Sequence, residues 1–228
     1  MVKNGYRHEF KYLISKRNAD ILRLRLPHIM ERDSHAGPSG QYTIRSLYFD
    51  DFSSSALEEK LSGIADREKY RIRYYNYDTS IIKLERKEKH GSLTRKTAAT
   101  ISLEDALILQ AAGTKGFVEN PCDLVKALQD KCRHQGLRPR VLVDYDRTPF
   151  ICRDGNTRIT LDENLRTRPY NTDLLASPQA MIPILDNDQV ILEVKFDDFL
   201  PGHLDAALAD IPKAVMAISK FALCLSHT

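Results

Sequence analysis

The stretch that decides the fold is KYRIRYY, residues 69–75, read together with IIKLERKE, residues 81–88. Successive side chains of an extended chain point to opposite faces. Arg71 and Arg73 therefore share one face, and Ile72 and Tyr74 share the other. In the next segment Lys83, Glu85 and Lys87 fall together. Working outward, Arg7, Glu9 and Lys11 oppose His8, Phe10 and Tyr12, and Tyr145 pairs with Arg147 on one side. Arg158, Thr160 and Asp162 oppose Ile159 and Leu161, while Glu193 and Lys195 oppose Leu192, Val194 and Phe196. One such strand is ordinarily a solvated sheet face. Six of the same character predict charged faces gathered on one side of one sheet.

Period-two alternation covers residues 8–14, 42–49, 69–75, 81–88, 95–101, 138–150, 157–165 and 190–196. Helical spacing covers 16–30 behind Ser15 as N-cap, 103–113 behind Ser102 with Asp105 three residues on, 122–135 ending near Gly136, and about 214–225. The expected architecture is α+β: a closed tunnel, or barrel, of about eight antiparallel strands with surrounding helices. Crowding like charges into a lumen of reduced dielectric is costly unless a polyanion fills it. Phosphate chains suit Arg and Lys, whose charge-assisted hydrogen bonds match phosphate oxygens. Glu9, Glu85 and Glu193 on the same faces would balance charge or hold a hard divalent cation, Mg²⁺ or Mn²⁺.

Composition excludes several classes. The chain has 228 residues, 42% hydrophobic and 29% charged, enough apolar material for a core, so a disordered polyelectrolyte is ruled out. Net charge is +3, too small to indicate a partner by itself. The four cysteines are far apart, without CxxC spacing, which fits a reducing cytoplasm. No apolar run is long enough to span a bilayer, so export of any product would need a separate membrane partner. The run KLERKEKH alternates its basic residues with Glu85 and Glu88 and carries no nucleic-acid signature, so no nucleic-acid partner is expected. There is no GxxxxGK[ST], so ATP binding of the P-loop kind is excluded. No linker divides the chain, and residues 1–228 read as a single domain.

Eight short segments run in order through the chain: YRHEFKYLI, RSLYFDD, KYRIRYY, KLERKEKHG, VDYDRTPF, RITLDENL, LEVKFD and SKF. On these the chain resembles the VTC domain, the polyphosphate polymerase module of the vacuolar transporter chaperone complex and its bacterial relatives. That domain belongs to the triphosphate tunnel metalloenzyme, or CYTH-like, superfamily. The resemblance implies a cytoplasmic phosphotransferase that moves the γ-phosphoryl of ATP onto a growing inorganic polyphosphate chain, with Mn²⁺ or Mg²⁺ as cofactor. It implies phosphate binding by Lys11, Arg71, Arg73, Lys87, Tyr145, Arg147, Arg158 and Lys220. Of these, Arg71, Arg73, Lys87, Arg147 and Lys220 would carry catalysis, and Glu193 would hold the metal.

The sequence departs from the family pattern at Met216 and Ala217, where the eukaryotic polymerase has a proline and a second lysine. A non-catalytic polyphosphate-binding domain is therefore one alternative. The other is a tunnel hydrolase acting on triphosphate or a nucleoside triphosphate. Its ExExK signature would place acids at positions 7 and 9, and here position 7 is Arg7. Among residues that invite other readings, His8 is expected to face outward and Asp50 and Asp51 to cap a strand-end turn. The cysteines are expected to be small buried residues. The alternation leaves open which face Arg45 takes.

Overall fold

A computed structural model describes residues 7–91, 93–112, 116–169, 171–212, 214–215 and 218–227. The departures at Met216 and Ala217 lie outside the described residues. The strands are β1 (His8–Ser15), β2 (Glu31–Arg32), β3 (Tyr42–Asp50), β4 (Arg67–Tyr75), β5 (Asp78–His90), β6 (Leu93–Ile101), β7 (Arg138–Cys152), β8 (Thr157–Thr167), β9 (Ile182–Pro183), β10 (Gln189–Phe196) and β11 (Ala214–Val215). The helices are α1 (Lys16–Arg25), α2 (Ser55–Leu61), α3 (Leu103–Gln110), α4 (Asp123–Gln135), α5 (Gly202–Leu208) and α6 (Lys220–Leu225). All strands belong to one antiparallel sheet ordered β11-β1-β10-β8-β7-β3-β4-β5-β6, with β2 on β7 and β9 on β8.

That path is open, which corrects the expected closed barrel. The sheet curls until β1 and β6 approach, but among the described residues no ladder joins them. The bridge described there, the Arg7 amide donating to the Thr94 carbonyl at 3.2 Å, spans the seam. The helices are short and few beside the sheet, so α+β describes the architecture only in part.

Helix ends follow local chemistry. The Ser15 and Ser102 hydroxyls accept from the amides of Asn18 (3.2 Å) and Asp105 (3.0 Å), capping α1 and α3 as expected. Periodicity alone carries α1 to residue 30, but Pro27 lacks an N–H, and Leu26–His28 tightens into a 3₁₀ turn. Gly136 ends α4 at φ 68°, a left-handed conformation that glycine adopts without a Cβ penalty. The expected C-terminal helix is instead a two-residue strand, β11, followed by α6, which starts where the Ser219 hydroxyl caps the Ala222 amide.

The convex face carries the apolar side chains. Leu47, Ile72, Ile82 and Leu84 are fully buried with Ala106 of α3 and Leu128 of α4. Ile159, Leu161 and Leu192 pack with Ala19 and Leu22 of α1 and Leu204 of α5. Each large side chain so buried contributes roughly 1.5–3 kcal/mol. Arg45 also takes this side. Its fork donates to Asp144 at 2.8 and 2.7 Å and to the carbonyls of Leu174 and Ala176, fastening a loop to the sheet. His8 stacks on Phe196 at 5.3 Å on the same side, as expected.

The middle of the concave face is apolar. Ile44, Val141, Val143 and Tyr145 are covered by Phe221 and Cys224 of α6. Of the four cysteines, Cys224 is buried and Cys122 exposed. Among the described residues no helix is long and apolar enough to cross a membrane.

Candidate active site

Register builds the site. Antiparallel pairing sets Arg71 against Glu85, Lys69 against Lys87, and Lys87 against Lys96 across β4, β5 and β6. At the other end of the curl it sets Lys11 against Glu193, Glu9 against Lys195, Glu193 against Thr160 and Arg147 against Asp162. Directly opposed side chains share a face, so the two halves of the sheet present their ions to one another.

Three carboxylate centres organise the cations. Glu85 takes the Arg71 guanidinium at 2.6 and 2.7 Å, the Lys96 ammonium at 3.0 Å and Arg73 at 3.7 Å. Arg71 also donates to the Tyr48 hydroxyl at 2.8 Å, and Arg73 to the hydroxyls of Ser46 and Tyr145, each at 3.1 Å. The second centre is the pair Glu9 and Glu193. Lys11 sits between them, 3.0 Å from Glu9 and 3.3 Å from Glu193. Lys195 lies 2.6 Å from Glu193 and 3.7 Å from Glu9. Lys87 donates to both Glu9 oxygens at 2.8 Å, so this ion pair crosses the seam from β5 to β1. The third centre is Asp162, held by both arms of Arg147 at 2.6 and 2.7 Å and by Lys220 of α6 at 2.5 Å. Tyr145 links the centres, its ring 4.6 Å from the Lys220 ammonium and 5.3 Å from the Arg147 guanidinium.

Eight cations, Lys11, Arg71, Arg73, Lys87, Lys96, Arg147, Lys195 and Lys220, thus surround four carboxylates, Glu9, Glu85, Asp162 and Glu193. Burial alone pushes a carboxylate pKa up, but the neighbouring cations outweigh it. Glu85 falls below its ordinary range through Arg71, Arg73 and Lys96, and Asp162 through Arg147 and Lys220. Glu9 and Glu193 fall well below it, chiefly through Lys11 and Lys195. All four are therefore anionic at neutral pH. Lys87 moves the other way. Burial, joined by repulsion from Lys11 and Lys195 and partly offset by Glu9, brings it down to about 8.

The structure brings together every predicted site residue except Arg158. That guanidinium is drawn to the rim, where it donates to Asp33 and to the Tyr42 hydroxyl, each at 2.8 Å. Lys96, Lys195 and Asp162 join the site without having been assigned to it. Asp162 was visible on the charged face of its strand, and Lys96 needed the β5–β6 register. The donors around Glu193 fit a hard divalent cation. They are the Glu193 and Glu9 carboxylates and the buried Thr160 hydroxyl, whose oxygen has no hydrogen-bond partner among the described residues. Among the described residues no three His, Cys, Asp or Glu side chains converge as a metal cage. Such a cation would take its remaining ligands from phosphate and water.

One antiparallel sheet thus curls so that ionic side chains gather on its concave side while helices pack on its apolar convex side. The chain belongs to the VTC domain family, whose model matches residues 6–227. The fold is similar to that of a candidate adenylate cyclase from Bacillus halodurans, at 18% identity over 90% of this chain and 88% of that one, with a TM-score of 0.52. It is also similar to the PH1012 protein of Pyrococcus horikoshii, at 12% identity over 94% and 98%, with a TM-score of 0.50. No curated protein matches the sequence.

Proposed function

We propose that this protein is an ATP-dependent polyphosphate polymerase that transfers the γ-phosphoryl of ATP to the end of an inorganic polyphosphate chain. The observation that carries the reading is the surplus of cations over carboxylates on the concave face, with hydroxyl donors among them. Phosphoryl transfer needs positioning and charge stabilisation more than covalent help from the protein. In this reading Arg71, Arg73 and Lys87 bind the ATP phosphates. Lys11, Arg147 and Lys220 spread over the equatorial oxygens and the acceptor chain, and Tyr145 donates a hydrogen bond to a phosphate oxygen. Arg158 meets a longer chain at the rim. Arg73 suits the transferring group because its carboxylate lies at 3.7 Å while its other donors meet hydroxyls that phosphate oxygens can replace.

Glu193, with Glu9 and Thr160, would hold Mn²⁺ or Mg²⁺, which supplies charge neutralisation to phosphate oxygens when bound. Hydrolysis is the weaker reading. Arg7 stands where the hydrolase signature has an acid, and it is tied to Asp197 at 2.9 Å and to the Asn156 carbonyl.

The test is purified protein with ATP and Mn²⁺, followed by detection of long-chain polyphosphate and of free phosphate. Polymer supports the proposal. Phosphate without polymer means a hydrolase, and tight binding without turnover means a binding domain.

A further inference from the structure

Where β3 and β5 end and β4 begins, a cavity of about 360 Å³ opens beside α2. Phe49 and Tyr70 form apolar walls, Asp50 and Asp51 line it from the end of β3, and Lys69 lines it from β4. Asp50 is only 2% exposed. Its Oδ1 accepts from the amides of Asp51 and Ala56, both at 2.9 Å, which is the expected turn capping. Its Oδ2 is buried and, among the described residues, has no hydrogen-bond partner. A buried acceptor left unpaired is costly and rare. Burial also lifts the Asp50 carboxyl above its ordinary range, against the pull of those two amides. An N–H or O–H donor would satisfy it.

Lys69 links the cavity to the ionic face. The Lys69 ammonium lies 4.2 Å from the Phe221 ring, Phe221 meets the Tyr48 ring at 5.4 Å, and the Tyr48 hydroxyl accepts from Arg71. Arg71 follows Lys69 by two residues on the same face of β4, about 7 Å along the strand at its usual rise.

We propose that this cavity holds the nucleoside of a nucleoside triphosphate whose phosphates lie on the concave face, with Asp50 Oδ2 accepting a hydrogen bond from it. The proposal rests on the triphosphate reading above. Phe49 and Tyr70 supply apolar contact for the base or sugar within an otherwise largely charged lining, and Asp50 supplies the polar contact that fixes its orientation.

The experiment is calorimetric titration of the protein and its Asp50→Asn variant with ATP and with methyl triphosphate, an ester of similar charge that has no nucleoside. Asparagine keeps an oxygen for the two amides and turns the unpaired acceptor into a donor. The wild type is expected to bind ATP about tenfold more tightly than methyl triphosphate, the worth of one hydrogen bond to a charged group. The variant should lose that ratio while still binding methyl triphosphate, which also shows that it is folded. Glu59→Trp, filling the cavity from α2, should lose the ratio too. Equal affinities in the wild type, or the same preference kept in both variants, would overturn the proposal. If neither ligand binds the wild type, the triphosphate reading itself fails. Titrations with 2′-deoxy-ATP and ITP then tell a ribose hydroxyl from a base amine as the donor.

Discussion

Asp162→Asn tests the ionic face most directly. Asp162 is about 1% exposed and holds two cations, Arg147 at 2.6 and 2.7 Å and Lys220 at 2.5 Å. Removing one member of a buried ion cluster leaves uncompensated charge, which typically costs about 3–5 kcal/mol. Arg147 retains Glu193 at 3.7 Å, so the lower end applies, about 3 kcal/mol. For a chain of this length each kcal/mol moves the melting temperature by about 2–4 °C, so the expected drop is roughly 6–12 °C. The stability at stake is fully present at neutral pH. The Asp162 carboxyl is held below its ordinary range, so its contribution is lost only as pH falls below that range.

Thermal melts followed by circular dichroism, with and without inorganic triphosphate, read the effect. Triphosphate should raise the variant's melting point more than the wild type's, because the anion neutralises the two stranded cations. A variant melting within about 2 °C of the wild type, less than 1 kcal/mol for a chain of this length, would refute the reasoning. Arg147 and Lys220 would then be satisfied by solvent, and the buried ionic face would not exist.

Arg73→Ala should cut polymer synthesis by on the order of 10²–10³, the usual cost of one preorganised electrostatic donor. Its melting point should fall, because the folded state holds the Arg73 guanidinium above its ordinary range despite burial and repulsion from Arg71, and the Ser46 and Tyr145 hydroxyls lose their donor; full activity would remove Arg73 from the site. Lys87 lies near 8 against an ordinary 10.5, so between those values the unfolded chain binds more protons and stability contributed by this group rises with pH. Binding ATP at pH 9 should recharge Lys87 and take up close to one proton, measured by calorimetry in buffers of different ionisation enthalpy and absent in Lys87→Arg. Glu193→Gln should abolish the tightening of triphosphate binding by Mn²⁺ while leaving metal-free binding equal or stronger; unchanged Mn²⁺ dependence would place the metal elsewhere.

Most of the concave face was legible from period two alone, because Arg71 and Arg73, or Glu193 and Lys195, cannot share a strand face without sharing surroundings. Strand pairing was not legible. It took register to show that Glu9 reaches Lys87 across the seam and that Lys96 adds to Glu85. Closure was also out of reach, since whether β1 meets β6 through a ladder or through one bridge depends on accumulated curvature. Arg45 shows another limit: its segment alternates equally well either way, and the choice is made by Asp144 and by a loop some 130 residues on. The short α6 was obscured because its apolar residues resemble the end of a longer helix, while Ser219 supplies a fresh cap.

The four carboxylates among eight cations make the groove resemble an ion-exchange resin that carries its own tethered counterions. In the proposed function, an incoming anion would displace Glu9, Glu85, Asp162 and Glu193 from ammonium and guanidinium groups more than it would free mobile chloride. The salt sensitivity of binding should accordingly track the uncompensated charges, about half of the basic groups, and fall short of that of an open basic surface making as many contacts.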